Sequence, residues 1–150
     1  VTDDLYRELI LDHFRNPRNK GALANPDVKV QGTNLLCGDN IELTFLVRGG
    51  KIEDIKMDST GCSISQSSAS MMTQALKGKS LTESAALTAA FKKMLLENGS
   101  ADNLPEDLEE LASLEGVRKY PVRVKCALLS WNTFLQGLKD FEAKADAPKK

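Results

Sequence analysis

Cys37 and Asp39 flank a glycine in the run Leu36-Cys37-Gly38-Asp39-Asn40, a polar turn leading into a strand pattern that starts at Ile41. Glycine lets the backbone turn sharply enough to aim both neighbours at one point. A thiolate and a carboxylate converging there make a poor core and half of a metal site. The chain has two further cysteines, Cys62 and Cys126, each at a predicted element start. The expectation is one metal ion held by Cys37, Asp39, Cys62 and Cys126.

The competing reading is three scattered buried thiols, since the Cys-x-x-Cys pairs usual in zinc ribbons are missing. Position argues for the metal. Cys62 opens a predicted helix, where free N–H groups and the helix dipole stabilise a thiolate. Cys126 lies two residues from both Val124 and Leu128, so at about 100° per residue it points away from their apolar stripe. A buried structural cysteine is expected on that stripe. Arg123, three residues earlier, shares the face of Cys126 and sets a cation beside the thiolate. Thiolate ligands suit zinc or iron–sulfur chemistry, and a Cys3Asp set is compatible with tetrahedral zinc. His13, the single histidine, reads as a packed or surface helix residue rather than a catalytic one.

The elements that must position these residues follow from periodicity. Leu5, Tyr6, Leu9, Ile10 and Phe14 recur at helical spacing until Asn16-Pro17 stops the helix. Residues 15–26 read as loop and Asp27 to Thr33 as an edge strand. Ile41, Leu43, Phe45 and Val47 alternate as a half-buried strand, and Gly49-Gly50 supplies a two-residue hairpin turn. The return strand carries Ile52, Ile55 and Met57, and its one-residue slip in phase predicts a bulge.

A serine-rich helix follows Cys62, with Gly78 as its C-cap. Ser80-Leu81-Thr82-Glu83 matches a capping box ahead of a helix with Leu87, Phe91, Met94 and Leu95 facing inward, ended by Asn98-Gly99. Leu104 to Glu115 reads as a short helix burying Leu108, Leu111 and Leu114, with its acids a solvated face. The last helix carries Val124, Leu128, Trp131, Leu135 and Leu138. Together these predict an α+β domain, residues 1–142, with a three-stranded antiparallel sheet, helices mainly on one face and the metal site at one end. Residues 143–150 read as a disordered tail.

Composition excludes several function classes. At 41% apolar and 27% charged, the chain is that of a soluble globular protein. A net charge of −1 argues against nucleic acid as a partner. No apolar run approaches the about 18 residues of a membrane helix. The first residues, with Asp3, Asp4 and Glu8, lack the apolar core of a signal peptide. Three cysteines without such a signal point to a reducing compartment, and the cytoplasm is the expected location.

Three segments in combination resemble the signature regions of the U-type iron–sulfur cluster assembly proteins (SufU, IscU and the NifU N-terminal domain). They are Asn34-Leu35-Leu36-Cys37-Gly38-Asp39, Gly61-Cys62-Ser63-Ile64-Ser65 through Thr73, and Arg123-Val124-Lys125-Cys126 through Trp131. Arg7 to Lys20 is similar to the family's first helix and loop. The resemblance assigns the family's ligands to Cys37, Asp39, Cys62 and Cys126. Lys125 stands where the IscU branch has histidine, Tyr120-Pro121-Val122 replaces that branch's chaperone-docking motif, and the Leu81 to Lys119 region is longer. All three features are similar to the SufU branch.

That branch implies a zinc-dependent sulfur acceptor working with a pyridoxal-phosphate cysteine desulfurase of the SufS type, and with downstream iron–sulfur assembly proteins. Cys37 would take the sulfur as a persulfide. A zinc-bound thiolate is a blunted nucleophile, so the resemblance further implies that a partner side chain frees Cys37 at the metal. Cys62 and Cys126 would hold the ion throughout, Asp39 would tune the exchange, and Arg123 would steer the persulfide or the partner. The alternatives are a scaffold building a [2Fe–2S] cluster on the same ligands and a purely structural zinc module.

Overall fold

Alternation decides the sheet. In the computed structural model, which describes residues 3–97 and 101–146, β1 (Val28–Asn34), β2 (Asp39–Arg48) and β3 (Lys51–Thr60) form one antiparallel sheet in the order β1-β2-β3. Val28, Val30, Ile41, Leu43, Phe45, Ile52, Ile55 and Met57 are buried, while Lys29 and Glu53 between them are exposed. Gly49 and Gly50 turn the β2–β3 hairpin with φ of 58° and 75°, the double positive φ of a tight two-residue turn. The expected slip is a register shift at Leu46/Val47, where Leu46 faces Asp54 and Val47 faces Ile52.

Helices pack mainly on one face of the sheet: α1 (Asp3–Arg15), α2 (Ser63–Leu76), α3 (Leu81–Leu96) and α4 (Pro121–Asp146). A 3-10 turn (Ala101–Asn103) and a longer 3-10 stretch (Glu106–Lys119) join α3 to α4. Phe45 of β2 meets Phe134 of α4 with ring centroids 5.5 Å apart, and Phe91 of α3 meets Trp131 at 4.8 Å. These aromatic pairs tie sheet, α4 and α3 into one core. Trp131 Nε1 donates to Ser68 Oγ (3.1 Å), and Ser68 Oγ donates to the Ala127 carbonyl (2.6 Å), so small α2 side chains bring α4 close.

Three expectations are refined. The stretch predicted as a short helix from Leu104 is 3-10, and its buried apolar residues Leu108, Leu111, Leu114 and Val117 fall at a strict spacing of three. With three residues per turn, that spacing stacks them in one line. In α1 the predicted stripe is only partly covered, with Leu5 and Phe14 exposed, and the fully buried residue is His13. Finally, α4 continues through residues 143–146, where the sequence suggested a disordered tail. The predicted Asn98-Gly99 helix stop and residues 147–150 lie outside the described residues.

Candidate metal centre

Strand alternation sets Asp39 in place. As the first residue of β2 it shares the parity of Ile41, Leu43 and Phe45, so its side chain turns to the helix-covered face and is fully buried. The Cys62 backbone N–H donates to Asp39 Oδ1 at 2.9 Å, and Cys62 Sγ lies 3.9 Å from Oδ2. Gly61, at φ 138°, makes this approach possible: a Cβ there would collide with the Asp39 carboxylate. Cys62 is the N-cap of α2, as its position in the sequence predicts, and its sulfur accepts the Ser65 N–H at 3.5 Å.

Cys37 comes from the four-residue loop 35–38 joining β1 to β2, where Gly38 takes φ 67°. Leu35 and Leu36 beside it are 89% and 66% exposed, two large apolar side chains that the core does not use. Cys37 itself is half-buried, and its Sγ lies 2.7 Å from that of Cys126, both being free cysteines.

Cys126 points away from the Val124–Leu128 stripe as expected, yet it is fully buried. The reason is that α4 has a second covered face. Gly32 of β1 lies under Leu129 and Thr133, and Gly137 under Val28, Val30 and Phe45, so Leu129, Thr133 and Gly137 face the sheet. Cys126, three residues before Leu129, heads that row at the metal end. Burial, then the neighbouring sulfur of Cys37, push the Cys126 thiol far above its ordinary range.

The donor atoms of Cys37, Asp39 and Cys126 lie within 4.8 Å of one another, and Cys62 joins them through Asp39. Three soft sulfurs and one carboxylate drawn from three segments fit zinc, and the same set fits iron–sulfur ligation. Arg123, on the surface, has its charge favoured first by Cys62 and less by Cys126 and Cys37. It also lines a groove of about 610 Å³ with Tyr6, Arg7, Ile10, Cys62 and Tyr120. Lys125 is exposed. His13 is not part of the centre: it is packed between Ser70 and Glu110.

Sequence reasoning gave no role to Gly61 or to Asn34, whose Nδ2 donates to Cys126 Sγ at 3.6 Å. An asparagine ending a strand before a turn is a recognisable signal for side-chain capping, but its reach to residue 126 needs the fold.

Residues 5–147 match the NifU-like N terminal domain family. The chain is 45% identical to the zinc-dependent sulfurtransferase SufU of Bacillus subtilis over 91% of this chain and 90% of that protein. It is 40% identical to the iron–sulfur cluster assembly scaffold protein IscU of Streptococcus pyogenes, over 90% of this chain and 83% of that protein. Among solved structures, a putative iron–sulfur cluster assembly scaffold protein for the SUF system from Fervidobacterium islandicum superposes with a TM-score of 0.81 at 33% identity, covering 92% of this chain and 99% of that one. A NifU-like N-terminal domain from Brucella abortus gives 0.85 at 29% identity, covering 95% and 97%. With the Cys/Asp cluster at the end of its three-stranded sheet, the chain belongs to the NifU-like N-terminal domain family of iron–sulfur cluster assembly proteins.

Proposed function

We propose that this chain accepts sulfur as a persulfide on Cys37 from a pyridoxal-phosphate cysteine desulfurase, with zinc held by Cys37, Asp39, Cys62 and Cys126. The observation that carries the assignment is the contrast among the thiols. Cys126 is sealed and Cys62 caps α2, whereas Cys37 rides on a surface loop directly after two exposed leucines. A partner covering Leu35 and Leu36 would arrive directly over Cys37.

Bound zinc would keep the ligating thiols deprotonated at neutral pH. The residues of the chain do the rest. The Cys37 thiolate attacks the outer sulfur of the partner's persulfide. A new S–S bond forms to Cys37, the partner's S–S bond breaks, and its thiolate departs with the electron pair. Asp39, pinned by the Cys62 N–H, keeps a carboxyl oxygen fixed beside the thiols. Arg123 is suited to steering an anionic persulfide, since it stands beside Cys62 at the surface.

The 40% identity to a named scaffold protein favours a second reading, assembly of a [2Fe–2S] cluster on the same ligands. Metal analysis of anaerobically purified protein separates the two, zinc and no colour against iron and brown. For the sulfur acceptor, Cys37→Ser removes the nucleophile while preserving size. Intact-mass measurement after incubation with a desulfurase and cysteine should find one extra sulfur on wild type and none on the variant. Full sulfur loading of Cys37→Ser would overturn the assignment.

A further inference from the structure

Asn34 ends β1 directly opposite Asp39 and grips two things at once. Its Oδ1 accepts the Leu36 N–H at 3.2 Å, inside the loop that carries Cys37, and its Nδ2 donates to Cys126 Sγ at 3.6 Å. A carboxamide is suited to this, since it presents an acceptor and a donor on one small plane. The loop needs such a grip. Its two large side chains, Leu35 and Leu36, are solvated, so burial does little to fix the position of Cys37.

We propose that Asn34 is the positioning residue of the sulfur-transfer site, clipping the loop 35–38 onto α4 so that the Cys37 sulfur rests against that of Cys126. This rests on the reading of Cys37 as acceptor. The two halves of the amide have separate tasks. The oxygen holds the loop in its turn, and the N–H points at the Cys126 sulfur and fixes the side of α4 against which the loop rests. Both contacts of Asn34 are made within the chain, so its effect belongs to the rate of transfer and not to the encounter with a partner.

The N–H half can be cut alone. Asn34→Ala removes both. Asn34→Asp keeps an acceptor for the Leu36 N–H but has no N–H for Cys126. First, in metal-free protein with no partner present, iodoacetamide labelling of each cysteine is followed by peptide mass. Asn34→Ala should raise the Cys37 rate about fivefold, the scale of one lost hydrogen bond, and leave Cys62 unchanged, while Asn34→Asp should stay near wild type. Second, cobalt(II) replaces zinc; Asn34→Asp should shift the sulfur-to-cobalt absorption band at unchanged stoichiometry. Third, with saturating desulfurase, both variants should load sulfur more slowly at an unchanged half-saturating concentration. Should Asn34→Ala fail to fold, the band and the rate of Asn34→Asp still decide. Wild-type labelling in Asn34→Ala, or wild-type transfer rates in both variants, would overturn the proposal. If wild type itself takes no sulfur on Cys37, the functional reading fails, and the labelling still tells whether the clip exists.

Discussion

The Cys62 backbone N–H donates to Asp39 Oδ1 at 2.9 Å, so the carboxylate at the start of β2 is also a partner for the first turn of α2. Asp39 therefore has a structural duty besides the ligating one proposed for it, and substitutions can part them. Asp39→Ala strands the partly buried Cys62 backbone donor and should cost about 1 kcal/mol. Asp39→Asn keeps an oxygen for the Cys62 N–H, so it should recover most of that stability while binding zinc more weakly, an amide being a poor ligand for zinc. Urea midpoints with metal-free protein, and chelator competition with loaded protein, read the two effects separately. Equal midpoints for Ala and Asn would remove the structural duty.

Gly61 is the counterpart of this contact. Its φ of 138° is a conformation L-residues avoid, and a Cβ would enter the Asp39 carboxylate. Gly61→Ala should lose about 1–3 kcal/mol in strain and release zinc faster than wild type, because Asp39 and Cys62 are pushed apart together. A variant with wild-type metal affinity would show that the carboxylate can shift without harm.

Much of this arrangement was legible beforehand. The hairpin followed from Gly49-Gly50 between alternating strands, and the N-cap position of Cys62 from its place at the head of a serine-rich helix. What resisted reading depended on contacts between elements distant in sequence. Cys126 is buried because Gly32 and Gly137 let α4 settle on β1 along a second face, and the mixed row Leu129, Thr133, Gly137 carries no apolar stripe to announce it. The 3-10 stretch did leave a local trace, the unbroken spacing of three from Leu108 to Val117, which an α-helix would break with steps of four.

His13 shows the same limit from the other side. Fully buried, it sets Nδ1 2.7 Å from Ser70 Oγ and Nε2 2.5 Å from Glu110 Oε2, joining α1, α2 and the 3-10 stretch. Burial opposes the charge on Glu110, but the hydrogen bonds from His13 and Gln74 outweigh it and hold the carboxyl below its usual range. A depressed acid contributes stability that is present above its unfolded pKa of about 4.3 and is lost as pH falls through the folded value. Metal-free protein should therefore weaken as pH drops below about 4.3, and Glu110→Gln should flatten that decline. Asp12, lowered by hydrogen bonds from Arg18 and Asn16, acts in the same direction, so the slope should shrink rather than vanish. Urea midpoints across the acid range provide the check. Superimposable slopes for the two proteins would mean that the His13–Glu110 pair is silent.

The last prediction concerns what the metal contributes to the fold. The four donors come from the β1–β2 loop and the start of β2, from the N-cap of α2, and from α4. An unfolded chain does not hold these segments together, so if zinc is the ligand proposed above, its binding free energy adds to that of folding. At a free metal concentration a hundredfold above Kd the gain is about 2.7 kcal/mol, or roughly 5–10 °C in Tm for a chain of this size. Chelation should lower Tm by that order, and Cys126→Ser should mimic the loss, since a buried hydroxyl stays protonated and ligates poorly. Lys125 is the control. It neighbours Cys126 but is exposed, and an ammonium has no lone pair to offer. Lys125→Ala should keep both zinc stoichiometry and the chelation-induced drop in Tm. Scanning calorimetry with metal analysis of the same samples makes the comparison. A folded Lys125→Ala that has lost its zinc would move the ligand assignment, and equal Tm values for loaded and metal-free wild type would dissolve the single site.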